Sequence, residues 1–194
     1  MSQTTQTRIF LAARVLFDEA GAEGLSMRKI AEKVGITPMA IYRHFPDKNA
    51  LLNALMLDGL ATWEARARAL KASEPLRWLE QVSDAFMEFA LNEPRRYEAA
   101  FLLKASAARQ YPQDFAAGRS PVMRMTHERI EQVRAQGLIG DASAVEIGLA
   151  VSALSQGLVS MYRAGRFAGE AEFRGAYHRA LRRCMQSFMK DAAK

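Results

Sequence analysis

The chain has 194 residues, 49% hydrophobic and 25% charged, which suits a soluble globular protein of one medium domain or two small ones and excludes a low-complexity chain. Its net charge of +6 favours an anionic partner, although many basic proteins bind no nucleic acid. A single cysteine, Cys184, excludes an intramolecular disulfide, and the polar N-terminus has no signal-peptide pattern, so a cytoplasmic protein is expected.

The stretch SMRKIAEKVGITPMAIYRHFPDK, from Ser26 to Lys48, carries the most information. Ser26 is placed to cap a short helix with its hydroxyl. Leu25 and Ile30 have the spacing of a hydrophobic staple. Ile30, Ala31 and Val34 make one buried stripe, and Gly35 can take the left-handed conformation that ends the helix. Ile36 is placed to pack under the turn. Thr37 caps a second helix with Pro38 at its first position. Ile41 and Phe45 point inward, leaving Thr37, Met39, Ala40, Arg43 and His44 outward. Phe45-Pro46 stops this helix. Asp47 caps the next one, and Lys48 in its first turn opposes the helix dipole unless an anion such as phosphate lies nearby. The pattern reads as a helix-turn-helix, or equally as a three-helix core with ordinary caps.

Helices are expected from Asp47 to Leu70, Glu74 to Leu91, Pro94 to Ala107, Pro121 to Gln136, Ala144 to Ala164 and Glu170 to Asp191. Prolines 75, 94 and 121 each follow a capping residue, and Ser143-x-x-Glu146 is a capping box. The segment from Tyr111 to Arg119 reads as a loop. The charge-free run from Ile147 to Tyr162 is short for a membrane span and reads as a buried helix. On the last two long helices, Ala144 to Ala164 and Glu170 to Asp191, small residues let a facing helix come close and large apolar ones interlock, which points to a homodimer interface, although the same faces could pack within one subunit. Cys184 reads as a small core residue rather than a redox sensor. Arg174, Arg179, Arg182, Arg183, Lys190 and Lys194 read as a solvated face.

The N-terminal residues resemble the DNA-binding domain of the tetracycline-repressor (TetR) family of bacterial transcription regulators. The resemblance runs from about Thr7 to Leu60. It rests on Ile9-x-x-Ala12-Ala13-x-x-Leu16-Phe17, on Gly21-x-x-Gly24-Leu25-Ser26, on Ile30-Ala31-x-x-Val34-Gly35-Ile36, and on Ile41-Tyr42-x-His44-Phe45-Pro46-x-Lys48-x-x-Leu51. It implies phosphate contacts from Ser26, Tyr42, His44 and Lys48, and base or groove contacts from Arg28, Thr37, Pro38, Met39 and Ala40. That fits their chemistry: arginine can pair with guanine, and methyl groups can touch thymine. The chain departs from the usual pattern at Asp47, where Ala50 replaces the glutamate of a capping box and leaves that helix start less firmly fixed. Further on, Ser155-Gln156-Gly157-Leu158 with Ala164-Gly165-Arg166-Phe167 resembles a C-terminal subgroup that usually has histidine where Gln156 stands.

The expected architecture is all-α with about nine helices. A three-helix helix-turn-helix DNA-binding domain occupies residues 1–50, and a helical effector-binding and dimerisation domain occupies 51–194. Candidates for an apolar effector pocket are Trp78, Phe86, Phe89, Tyr97, Phe101, Met123, Met125, His127, Gln156 and Tyr162. Each can instead be ordinary core, and His127 and Gln156 can be satisfied polar groups. His44, His127 and His178 are scattered, and no phosphate-binding glycine loop or nucleophile elbow is present, so neither a metal, a cofactor nor an enzyme is expected. Two readings remain open: a dimeric repressor released from a palindromic double-stranded operator by a small apolar or aromatic effector, and an architectural or partner-controlled DNA-binding protein.

Overall fold

The computed structural model describes residues 4–190. In these residues the chain forms ten helices: α1 (Thr5–Gly24), α2 (Met27–Val34), α3 (Pro38–Tyr42), α4 (Lys48–Arg68), α5 (Pro75–Asn92), α6 (Pro94–Phe101), α7 (Gln113–Ala116), α8 (Pro121–Ala135), α9 (Ala144–Arg163) and α10 (Glu170–Phe188). The all-α expectation holds, with one helix more than expected. The extra helix is α7, inside the expected loop. Asp114 organises it, accepting from the Gln110 amide at 2.7 Å and from Arg119 Nη1 at 2.7 Å.

Two other helix ends differ from expectation for tertiary reasons. α6 stops at Phe101 rather than Ala107, because Leu102 and Leu103 both donate back to the Glu98 carbonyl. Asn53 of α4 then holds the departing chain: its Nδ2 donates to Ser106 Oγ at 2.9 Å and its Oδ1 accepts from the Ala107 amide at 3.0 Å. α10 ends at Phe188, since Gly140 donates to the Phe188 carbonyl and Lys190 to the Leu138 carbonyl, making an isolated bridge between Ile139 and Met189. Asp191, the expected end of this helix, lies outside the described residues.

The chain divides into two compact units, Met1–Ala65 with Phe89–Ala108, and Arg66–Glu88 with Arg109–Lys194. The first therefore joins α1, α2 and α3 to most of α4 and all of α6. Its core gathers Ile9, Phe17, Ile30, Ile41 and Leu51, none more than 1% exposed. α1 loses helical geometry at Gly21, where φ is 66°.

In the second unit, α9 packs against α8 and α10. A Cβ on Gly148 would stand 2.9 Å from Met123 Cε and 3.0 Å from His127 Nε2, so glycine is what lets α8 come this close. Phe173 of α10 stacks on Tyr162 of α9 with ring centroids 4.5 Å apart. Along the α5 side of α10, Arg174 pairs with Glu88, Tyr177 Oη donates to the Ser83 carbonyl at 2.9 Å, and His178 meets Asp84 at 2.9 Å.

α9 corrects the expectation of a buried helix. It is long and apolar enough to cross a membrane, yet only 28% of its most apolar window is buried. Its inner side, with Ile147, Gly148, Ser155 and Val159, is covered by its neighbours. Its outer side leaves Leu149, Ala153, Gly157 and Met161 exposed in the single chain.

Candidate nucleic-acid interface

The reading head is built by local signals. Gly35 sits at φ 74° and ψ 39°, and its amide donates to the Ala31 and Glu32 carbonyls, closing α2 in the left-handed conformation that a Cβ disfavours. The Ile36 amide also turns back to Ala31, while the Ile36 side chain packs against the core. Thr37 Oγ1 then accepts from the Ala40 amide at 3.3 Å, with Pro38 opening α3. Leu25, Ile30, Ile41 and Phe45 are buried, which fixes the outward direction of the remaining side chains.

Ser26 stands at the N-cap of α2, but its hydroxyl makes no capping hydrogen bond. Its carbonyl, not its side chain, closes the first turn by accepting from the Ile30 amide at 3.0 Å. The capping expectation is therefore corrected, and the hydroxyl is left for another partner. At the start of α4 Asp47 caps well without the missing glutamate, its Oδ1 accepting from the Ala50 amide at 2.8 Å. Lys48 Nζ donates to the Ala22 carbonyl at 2.9 Å, so its cation is drawn back toward the end of α1. An ammonium has further donors, and Lys48 remains exposed.

Thr37, Pro38, Met39, Tyr42 and His44 are exposed together with Arg28 and Lys48, while Ser26 and Ala40 are half-buried. Met39 is 72% and Tyr42 46% exposed, high values for side chains that would otherwise bury their apolar surface. Sequence reasoning gave less weight to other cations of the same segment. Lys29, Lys33 and Arg43 are also exposed, and the signal was their charge alone. It missed Arg8, whose Nη2 donates to the Val34 carbonyl at 2.7 Å and ties α1 to the end of α2. Nothing in the sequence marks that contact. The face can offer hydroxyls and cations to phosphates, with Arg28 and the methyl-bearing side chains for base edges.

The ten candidate effector residues fall into both compact units. Phe89, Tyr97 and Phe101 belong to the first. Phe89 and Tyr97 are fully buried, and Tyr97 packs on Phe101 with centroids 5.4 Å apart. Trp63 joins them by stacking on Phe89 at 6.1 Å. In the second unit, Trp78 and Phe86 are buried, and Arg129 lies 5.7 Å from the Trp78 ring. Met123 and His127 meet at Gly148, and Ser152 Oγ donates to Met123 Sδ at 3.5 Å. Met125, Gln156 and Tyr162 are half-buried. His127 Nε2 is buried with no hydrogen-bond partner. Burial holds its pKa below the ordinary histidine value, opposed by the nearby Glu131 carboxylate. Among the described residues no group of acidic, histidine or cysteine side chains is placed to hold a metal ion.

Comparison with known proteins places this head in a family. Residues 9–55 match the family model of bacterial regulatory proteins of the tetR family, and residues 79–184 match that of the tetracyclin repressor-like C-terminal domain. The chain is 30% identical over 109 residues to the class A tetracycline repressor of transposon 1721 from Escherichia coli, covering 56% of this chain and 45% of that one. It is 40% identical over 67 residues to the HTH-type transcriptional regulator UidR of Escherichia coli K12, covering 34% of each. The matched region thus spans less than half the length of these relatives. In fold it resembles a Rhodococcus sp. RHA1 protein of unknown function, with a TM-score of 0.79, 23% identity and 97% of each chain covered. It also resembles the ketosteroid transcriptional regulator KstR2 of Mycobacterium tuberculosis, with a TM-score of 0.66, 18% identity and 98% of each chain covered. Helix-turn-helix geometry, an outward polar face and two matched family models covering most of the chain lead to one assignment: this chain belongs to the TetR family of DNA-binding transcription regulators.

Proposed function

We propose that the protein is a dimeric repressor released from a palindromic operator by a small, mainly apolar or aromatic effector. The observation that carries the DNA side is the exposed face of α3 and its flanks, where Met39 and Tyr42 face solvent while Ile41 and Phe45 anchor the helix beneath. Ser26, Tyr42, His44 and Lys48 take the phosphates, and Arg28, Thr37, Pro38, Met39 and Ala40 the groove.

Dimerisation is supported by the outer side of α9. A second copy covers Leu149, Ala153, Gly157 and Met161, with Ala176 and Ala180 of α10 beside them. Burying such apolar surface contributes roughly 25 cal/mol per Å². A twofold axis then sets two heads at half-sites about 34–36 Å apart, or a multiple of that spacing. Effector binding among the aromatic and methionine side chains of the helical core disfavours simultaneous docking of both heads. The coupling is reciprocal, so operator DNA weakens effector binding by the same factor.

Selection of binding sites from random duplex DNA by the purified protein tests the reading. A palindrome with regularly spaced half-sites is the expected result. Recovery of no common sequence, with binding that vanishes at moderate salt, would replace it with an architectural role.

A further inference from the structure

The geometry points to a second ligand site in the α5–α10 groove of the second unit, shaped for a single-chain anionic amphiphile. The groove is half open to solvent and has a volume of about 580 Å³. It contains none of the aromatic residues proposed for the effector core. Its apolar floor is Leu76 and Leu79 of α5 with Leu181, Met185 and Met189 from the other wall. The two methionines are half-buried, so the floor is only partly satisfied by the chain itself. From Arg182 to Met189 the wall runs roughly 10 Å at about 1.5 Å per residue. An extended dodecanoate covers that floor and projects a few methylenes beyond it.

The charges choose the head group. The acidic groups of the groove are already engaged: Glu80 by Arg77 at 2.8 Å, and Asp84 by His178 at 2.9 Å. Arg182 also lines the groove and is exposed, with no acidic partner among the described residues. Arg179 and Arg183 lie on other sides of α10 by the helical period, so the contact with an anion falls to Arg182. A carboxylate paired with Arg182, beside Gln186, leaves its alkyl chain to cover Met185 and Met189.

The groove is independent of the proposed dimer face. Successive helical residues are about 100° apart, so His178, Arg182 and Met185 share one side of α10, with Met189 following at its end. Ala176, Ala180 and Ser187 lie on the opposite side. An occupant therefore reaches α10 from the side away from a second copy, and binding does not require DNA.

The test is calorimetric titration of sodium dodecanoate, kept below its micelle concentration, into the full chain. Dodecanol and dodecyltrimethylammonium serve as neutral and cationic controls. Saturable binding of one dodecanoate per chain is expected, weakened at least tenfold by Arg182→Gln and by Met185→Glu, with circular dichroism of both variants unchanged. Arg182 is exposed, so its replacement tests the site without disturbing the core. Unchanged affinity in both folded variants would put the amphiphile elsewhere and overturn the proposal. So would absence of saturable binding, or equally tight binding of the cationic amphiphile.

Discussion

The reading head and the α5–α10 seam hold themselves together over different distances along the chain. In the head the decisive bonds join residues three or four apart: Gly35 to Ala31, Thr37 to Ala40, Asp47 to Ala50. In the seam they join Ser83 to Tyr177, Asp84 to His178 and Glu88 to Arg174, groups 86 to 94 residues apart. The head uses its local caps to fix a backbone, adds the longer ties of Arg8 to Val34 and Lys48 to Ala22, and turns most of its other polar side chains outward. The seam turns its polar groups toward each other, leaving Arg182 without such a partner among the described residues. The helix-turn-helix is specified mostly by residues close in sequence, whereas the α5–α10 seam depends on long-range closure.

The strongest challenge to this contrast is Ile30→Ala. Ile30 is fully buried where α2 meets α1, and its truncation leaves a cavity in a small core. A stability loss of about 2–5 kcal/mol is expected in urea unfolding, with DNA binding lost in parallel. Retention of full DNA affinity at that cost would mean the head does not rely on its own core.

Next in size is the division of labour on the DNA face. Arg28→Ala should cost about 1–3 kcal/mol at one base position if the guanidinium pairs with guanine. Lys48→Ala should weaken binding to every sequence and lower the salt slope by about 0.9. Footprint titrations over site variants and salt separate the two. An unchanged slope would show that Lys48 serves only the Ala22 carbonyl, the contact it makes in the free chain.

This difference in reach also explains what could be read from the sequence. Gly35, Thr37, Pro38 and Asp47 announce their turns because each acts within one turn of helix, and the Ser143–Glu146 capping box forms as its spacing predicts. The early end of α6 was not legible. Its sequence runs on with good helix formers, and the competing partner, Asn53, lies 53 residues away in the sequence. The exposed side of α9 was equally hidden, since an apolar helix reads the same whether its cover comes from its own chain or another. For the proposed DNA face the residue types were enough to nominate candidates. They could not show that the Ser26 hydroxyl makes no cap, nor that Arg8 braces α2.

A smaller effect tests the seam. Tyr177 is fully buried, and its hydroxyl reaches the Ser83 carbonyl. Tyr177→Phe removes one hydrogen bond while keeping the ring between Phe173 and α5, so a loss of roughly 0.5–1.5 kcal/mol is expected in unfolding titrations. The DNA salt slope should not change. A change there would show that the seam sets the head's contacts and that the contrast between the regions is too sharp.

The smallest effect is a pH dependence confined to the second unit. His127 lies against Gly148, with Nε2 buried and unpartnered, and its pKa is lowered chiefly by burial. The unfolded chain therefore takes up the proton first as the pH falls through the ordinary histidine value of 6.5. Stability from the neutral ring is complete above that value. It declines below it until the folded form is protonated as well. Glu131 opposes the shift and narrows the window. Melting temperatures measured from about pH 7.5 down to 5 should fall less steeply for His127→Gln than for the parent chain. Only the difference between the two profiles reports on His127. Parallel profiles would mean that α8 and α9 separate enough to hydrate the imidazolium, and that the close approach at Gly148 is softer than its distances imply.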